Sequence, residues 1–333
     1  MKGKFKVIAA LVVLLAAAVY YYFALPAVNI HAAGFWWFLI LVAAAATLAY
    51  GWKRVKRTGD MRHPLDFSGL RDELGVKIGV GIILLVVAVF LIGTLLSSPI
   101  VNASKYQQLM TVETREFTED IEQVSFDQIP LLDKDSAALL ANRVMGSLVD
   151  LTSQFVVSDQ YSQINYQGKP VRVTPLAYAD LIKWFTNMGD GIPGYIKIDM
   201  TTQEAELVRL EQGIKYSPYD HFGRNLERHL RFRYPTYIFD SYNFEINEEG
   251  VPYWVCGVKK FNVGLFGGET IGRVVLCNAI TGECEDYAIE EAPTWIDRAY
   301  SADMLIELYD YYGTLTVSYT HLDVYKRQPI ACL

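Results

Sequence analysis

Cys256, Cys277 and Cys284 are the residues of this chain best suited to covalent chemistry. Cys277 and Cys284 flank Thr281-Gly282 at near-equal distance, on the two arms of a hairpin that their neighbours predict. Facing cross-strand positions bring Cβ atoms to about 4.5–5.5 Å, and non-hydrogen-bonded pairs come closer, towards the about 3.8 Å of a disulfide. The spacing leaves two states open: a Cys277–Cys284 bridge with Cys256 free, or three thiols. No C-x-x-C occurs, which argues against a redox or zinc motif. His221 and His229 lie eight residues apart on one expected helix, two turns distant, where they cannot share a metal. Neither H-E-x-x-H nor G-x-S-x-G is present. The sequence therefore assigns no catalytic residue, no metal ligand and no cofactor. Arg224, Arg228 and Arg231 fall at i, i+4 and i+7 of the same expected helix. That stripe suits an anionic wall polymer or lipid headgroup, or else intrahelical pairing with Asp220 and Glu227. The carboxylate pairs Glu248/Glu249, Glu290/Glu291 and Asp120/Glu122 are what an acid-rich region produces by chance, and a glycosidase would need two that converge in a cleft.

The elements that must carry these residues divide at about residue 97. The chain is 52% hydrophobic and only 20% charged, with an apolar excess confined to three runs near the N-terminus. Residues 7–25, 34–52 and 78–96 are each long enough to cross a hydrocarbon core of about 30 Å. Tyr20–Tyr22, Trp36, Trp37 and Trp52 sit at the ends of these runs, where amphipathic rings prefer the headgroup layer. Lys2, Lys4 and Lys6 also give the first run the n-region of a signal peptide, but its apolar stretch is longer than the usual one. Residues 1–97 carry a net charge of +6, with the basic residues at the N-terminus and in loop 53–77, and none in 26–33. The positive-inside rule places the N-terminus and loop 53–77 in the cytoplasm, and residues 98–316 outside the cell membrane. The cluster Lys53–Arg57 either fixes this topology or also grips anionic lipid. The outer part carries −14, which argues against a nucleic-acid partner. The lipid bilayer is the expected partner, with another envelope or membrane protein as a second.

Residues 98–130 read as an acidic connecting segment. After it, helices are expected at Asp135–Phe155, capped by Asp133 or Asp135, at Leu176–Asn187 and at Tyr219–Tyr234, with a last one from Ala302. Strands are expected at Tyr161–Tyr166 and Val171–Val173, at Tyr195–Asp199 and Glu204–Arg209, and then as a four-strand meander from Asn243 to Ile289. Gly264–Gly268, outside the cell, reads as a hairpin connection and not as a phosphate loop. Helix followed by antiparallel strands, twice over, predicts two α+β modules, 131–215 and 216–315. The two modules share a weak repeat: Asp199, Thr202 and Glu204 match Asn278, Thr281 and Glu283 at an offset of 79. Duplication and the general likeness of hairpin turns both account for it.

The run Val251–Leu305, with its N-x-x-T-G-E turn, resembles a group of uncharacterised Gram-positive membrane proteins with three N-terminal spans and an outer α+β region, and its hairpin is similar to PepSY-type and cystatin-like modules. The resemblance covers residues 1–315. It implies the three-span topology and the outer modules, and it brings no catalytic residues. Residues 317–328, VSYTHLDVYKRQ, resemble the translation of a transposase mosaic-end sequencing adapter: the codons for VSYTHL and DVYKRQ are reverse complements. Residues 316–333 are accordingly expected to be adapter-derived or chimeric, with the natural chain cut near Leu315, and Cys332 and His321 carry no information. The sequence as a whole predicts a membrane-anchored cell-envelope protein whose outer modules bind a peptide, a wall component or a membrane partner. The alternative is an envelope hydrolase whose catalytic part lies beyond residue 315 or is built from scattered carboxylates.

Overall fold

The computed structural model describes residues 2–58, 74–113, 115–116 and 129–315. Residues 59–73, the Asp120/Glu122 pair and the tail 316–333 lie outside the described residues. Among the described residues, three helices open the chain: α1 Lys2–Ala24, α2 Ala33–Thr58 and α3 Leu74–Leu96. Two stretches, Ala33–Gly51 and Leu74–Leu96, are long and apolar enough to cross a membrane, and α1 carries a shorter apolar stretch, Leu11–Ala24. Leu84 and Leu85 are each 64% exposed, so α3 turns large aliphatic side chains outward, as a helix does when its solvent is hydrocarbon.

An α+β region with antiparallel sheets follows. The segment 98–130, expected to be a plain connection, begins with a helix, α4 Pro99–Gln107, because Pro99 presets the first turn. Helix α5 (Lys134–Ser147) starts at Asp133, whose carboxylate accepts the Ser136 N–H at 2.7 Å, and it ends well before Phe155. Phe155 instead enters strand β1, Phe155–Val157. The helix expected from Leu176 is corrected to a strand end followed by a short helix. Leu176–Tyr178 complete β3 (Lys169–Tyr178), where these side chains are buried, and α6 (Leu181–Asn187) begins only after Asp180 caps the Lys183 N–H.

The first sheet contains β1, β2 (Ser162–Tyr166), β3, β4 (Ile192–Asp199) and β5 (Ala205–Ile214); β1 and β2 share β3 as their neighbour. Helix α7, Leu226–Arg233, leads into the second sheet, a meander of β6 (Phe239–Ile246), β7 (Pro252–Val263), β8 (Gly267–Asn278) and β9 (Cys284–Ala288). The two sheets do not keep separate cores. Ile196 and Ile198 of the first sheet and Phe244, Trp254 and Cys277 of the second belong to one buried cluster. Tyr195 packs on Phe244 at 5.8 Å, Phe244 on Trp254 at 5.3 Å, and the Tyr195 hydroxyl donates to the Gly250 carbonyl at 2.9 Å. The last helix, α8 (Ala302–Leu315), lies along α4, where Tyr311 meets Tyr106 at 4.8 Å.

The helices meet this region at one end each. The Leu25 carbonyl, just past α1, accepts Arg231 Nε at 2.9 Å. Ahead of α2, the Val28 N–H donates to the Pro235 carbonyl at 2.7 Å, and Asn29 Nδ2 to the Thr236 carbonyl at 2.9 Å. Past α3, Ser97 Oγ accepts the N–H groups of Leu265 and Phe266 at 2.8 and 3.1 Å. The β7–β8 tip, Gly264–Gly268, is thus a docking element. A Cβ on Gly267 would stand 2.1 Å from the Tyr106 hydroxyl oxygen and 2.3 Å from the Ser97 carbonyl oxygen, so only glycine allows this approach. The tip drives Phe266 between Trp36 (6.2 Å) and Phe90 (5.1 Å) of the second and third helices.

Candidate functional site

The β8–β9 hairpin turns at Asn278. Its Oδ1 accepts the N–H groups of Ile280 and Thr281 at 2.9 and 3.0 Å, Gly282 takes φ +76°, and the Asn278 N–H closes on the Glu283 carbonyl at 2.8 Å. The next pair outward is Cys277 opposite Cys284. Hydrogen-bonded and non-hydrogen-bonded pairs alternate along an antiparallel ladder, so this pair is of the closer, non-hydrogen-bonded kind. Both are free thiols in this structure, as is Cys256.

Helix α7 supplies the third member. Asn225 caps it by accepting the Arg228 N–H at 3.2 Å, and fully buried Leu226 and Leu230 fix its roll against the core. His229 then faces the hairpin. Its Nε2 lies 2.7 Å from the Gly282 carbonyl oxygen, and its ring packs on Tyr216 at 4.6 Å. The donor atoms of His229, Cys277 and Cys284 all lie within 4.8 Å of one another. Cys277 is buried; Cys284 and His229 are half-buried. Hydrogen bonding from the Cys277 thiol, and then from His229, pulls the Cys284 thiol down, while the same contact and burial push Cys277 up. The Cys284 interaction raises His229 against the opposing effect of burial.

The sequence pointed to the two cysteines and missed His229. The histidine stands 48 residues before Cys277 and carries no local motif; only the packing of α7 on the second sheet brings it in. His221, its expected helix-mate, is elsewhere, with its ring edge-on to Trp184 at 4.7 Å.

The arginine stripe is not one helix face. Phe222–Arg224 form a 3-10 turn, and Asn225 breaks the run to cap α7, so Arg224 lies ahead of the helix. The expected pairing with Asp220 and Glu227 gives way to main-chain carbonyls. Arg224 donates to Met188, Arg228 to Phe222 (2.8 Å) and Tyr22 (3.4 Å), and Arg231 to Leu25 and Tyr237 (2.6 Å). The Arg228 guanidinium also lies 4.3 Å over the Tyr22 ring. Two of the three arginines thus cap the carbonyl end of α1, where cations are favoured.

Comparison with known proteins adds nothing to this geometry. No family model, no curated protein and no solved structure matches the chain.

Two carboxyls are buried in the α+β region. Asp220 accepts from Ser217 Oγ at 2.7 Å and Trp184 Nε1 at 3.2 Å, and burial raises it to about 6. Glu245 accepts the N–H groups of Asp297 and Arg298, each at 3.0 Å, and burial raises it to about 7. Both secure loops to the core. Three open clefts are found among the described residues, one of them of ≈ 480 Å³ beside Gln163, Asn165, Gly168 and Asp297. A second, of ≈ 560 Å³, is lined by Tyr166, Lys169, Lys197, Asp199 and Glu206. Another, of ≈ 480 Å³, lies where helices and second sheet meet, lined by His31, Phe90, Arg231, Lys259, Phe261 and Glu269 among others.

Proposed function

We propose that the chain is a membrane-anchored cell-envelope protein. Three N-terminal helices cross the bilayer, the N-terminus and loop 53–77 face the cytoplasm, and residues 98–316 lie outside, where the modules bind a peptide, a wall component or a membrane partner. One observation carries this reading. The helix ends that the charge rule places outside, Leu25, the start of α2 and Ser97, are the ends bonded to the α+β region. The aromatic residues Tyr21 and Tyr22 pack there against Phe232 of α7, at 6.1 and 6.4 Å, at the depth where tyrosines mark the headgroup layer.

The partner surface fits the same level. Leu181, Ile182, Phe185 and Phe222 are 63–73% exposed, and Phe222 is held at φ +53°. The Phe222 carbonyl accepts Arg228, which in turn covers Tyr22, so this apolar patch stands beside the end of α1. The PepSY-like or cystatin-like likeness belongs to this reading as the type of module. The hydrolase alternative gains little support, because the carboxyls with raised affinity for protons, Asp220 and Glu245, line none of the three clefts described above.

Reporter fusions test the topology. One active only in the cytoplasm, placed at Gly59, and one active only outside, placed at Gly168, should both give signal. Silence at Gly59 would overturn the orientation.

A further inference from the structure

We propose that His229, Cys277 and Cys284 form a binding site for one thiophilic closed-shell cation, Zn(II) or Cu(I). The donor set is two sulfurs and one imidazole nitrogen, the ligands such cations select over oxygen. The three donor atoms lie within 4.8 Å of one another. Bonds of about 2.3 Å to sulfur and about 2.0 Å to nitrogen place donors roughly 3.5–4 Å apart, so the cluster closes on an ion through small side-chain shifts. Two donors sit on a rigid register: Cys277 and Cys284 are direct partners one step from a fixed turn. The third comes from a helix whose roll two buried leucines set. Nε2 of His229 lies 2.7 Å from the Gly282 carbonyl, so with that bond kept Nδ1 is the nitrogen left for the ion and the carbonyl is the acceptor for the other.

The hairpin of the first module shows that these side chains are not required by the fold. With the offset of 79, Ile198 and Ala205 occupy the places of Cys277 and Cys284, and they too are direct cross-strand partners. The same turn therefore forms around an aliphatic pair. Cys277 is buried while Cys284 and His229 are half-buried, so the site opens to one side, leaving room for a water or an incoming ligand in a fourth position. Binding takes both cysteines as thiolates and the imidazole as neutral, forms two metal–sulfur bonds and one metal–nitrogen bond, and releases to solvent the protons these three groups still hold. With Zn(II) the centre is neutral; with Cu(I) it carries one negative charge, and Arg233 contributes a nearby positive one.

The full chain in detergent, kept reduced with a phosphine, would be titrated in separate arms with Zn(II) and with Cu(I), against competing chelators. The expected result is one equivalent bound in at least one arm, with affinity reduced at least a hundredfold by Cys284→Ser and by His229→Ala. Co(II) in place of Zn(II) should give sulfur-to-metal charge-transfer absorption that Cys284→Ser removes. The double variant C277I/C284A, which copies the sister hairpin, controls for folding and should not bind. Retention of binding in C277I/C284A, or no binding by the folded wild type in either arm, would overturn the proposal. So would a Cys277–Cys284 disulfide in the exported protein.

Discussion

The β4–β5 and β8–β9 hairpins turn in the same way and carry different chemistry. In the first, Asp199 Oδ1 accepts the N–H groups of Thr201 and Thr202 at 2.8 and 2.9 Å; in the second, Asn278 Oδ1 accepts those of Ile280 and Thr281. Thr202 and Thr281 hydroxyls accept the N–H groups of Glu204 and Glu283. Gln203 and Gly282 both take positive φ, at 62° and 76°. One step outward the twins part: Ile198 faces Ala205 in one, Cys277 faces Cys284 in the other. The turn is scaffold, built from a short polar side chain that collects N–H groups. The cysteines and the histidine brought to them are additions to it.

The largest effect expected concerns how separate the twins are. Trp254, fully buried, packs on Phe244 and donates from Nε1 to the Tyr216 carbonyl at 2.8 Å. Trp254→Ala should cost about 3–5 kcal/mol and lower the protection of both hairpins together in hydrogen exchange, because the sheets share one core. Loss confined to the second hairpin would show two independent modules.

The buried carboxyl of the second sheet gives the next effect. Glu245 is raised to about 7 from an ordinary value near 4.5. The folded state then holds its proton more tightly, so its contribution to stability is full below the ordinary value and is lost as pH rises through about 7. Over that window the loss is on the order of 3 kcal/mol. Denaturant unfolding at pH 5 and 7.5 checks most of it: the difference between wild type and Glu245→Gln should move by about 2 kcal/mol, and a constant difference would remove Glu245 as the cause.

The twin turns themselves give the smallest effect. Asp199→Ala and Asn278→Ala should each cost about 1–2 kcal/mol, since each strips N–H groups of their acceptor. They differ in acid. Hydrogen bonds, first that of the Thr201 hydroxyl, lower Asp199 to about 2. Its contribution is therefore present above the ordinary carboxylate value and is lost as pH falls through about 2, whereas Asn278 does not titrate. Proton exchange at the two turns during acid titration, followed by NMR, separates them.

The sequence carried most strands, because alternation of buried and exposed side chains is written locally, but it read Phe155 and Leu176–Tyr178 as helix, since the end of β3 is buried on both faces and shows no alternation. It misplaced helix ends where a cap decides: Asp180 and Asn225 each start a helix later than the apolar pattern suggests, and Asn225 thereby splits the arginine stripe. The repeat was legible in its turn residues, since Asp199, Thr202 and Glu204 act through neighbours two to four positions away. His229 was not, because its contact with the hairpin depends on how a helix rolls against a sheet whose β8 strand brings Cys277 only 48 residues later. The docking of Gly264–Gly268 on Ser97 was hidden for the same reason: glycine spacing reads as a turn, and what approaches the turn is set by tertiary structure.

The claim that one hairpin is scaffold and its twin adds a Cys–Cys–His cluster is tested most directly by making the twins alike. The measurement is the stability of C277I/C284A against wild type, both fully reduced, by denaturant unfolding. Copying the aliphatic pair should leave the fold intact and cost no more than about 3 kcal/mol, the range for adding methylenes at a packed site such as that of buried Cys277. A variant that fails to fold, or that loses 4 kcal/mol or more by this estimate, would show the cysteines to be part of the scaffold and contradict the account.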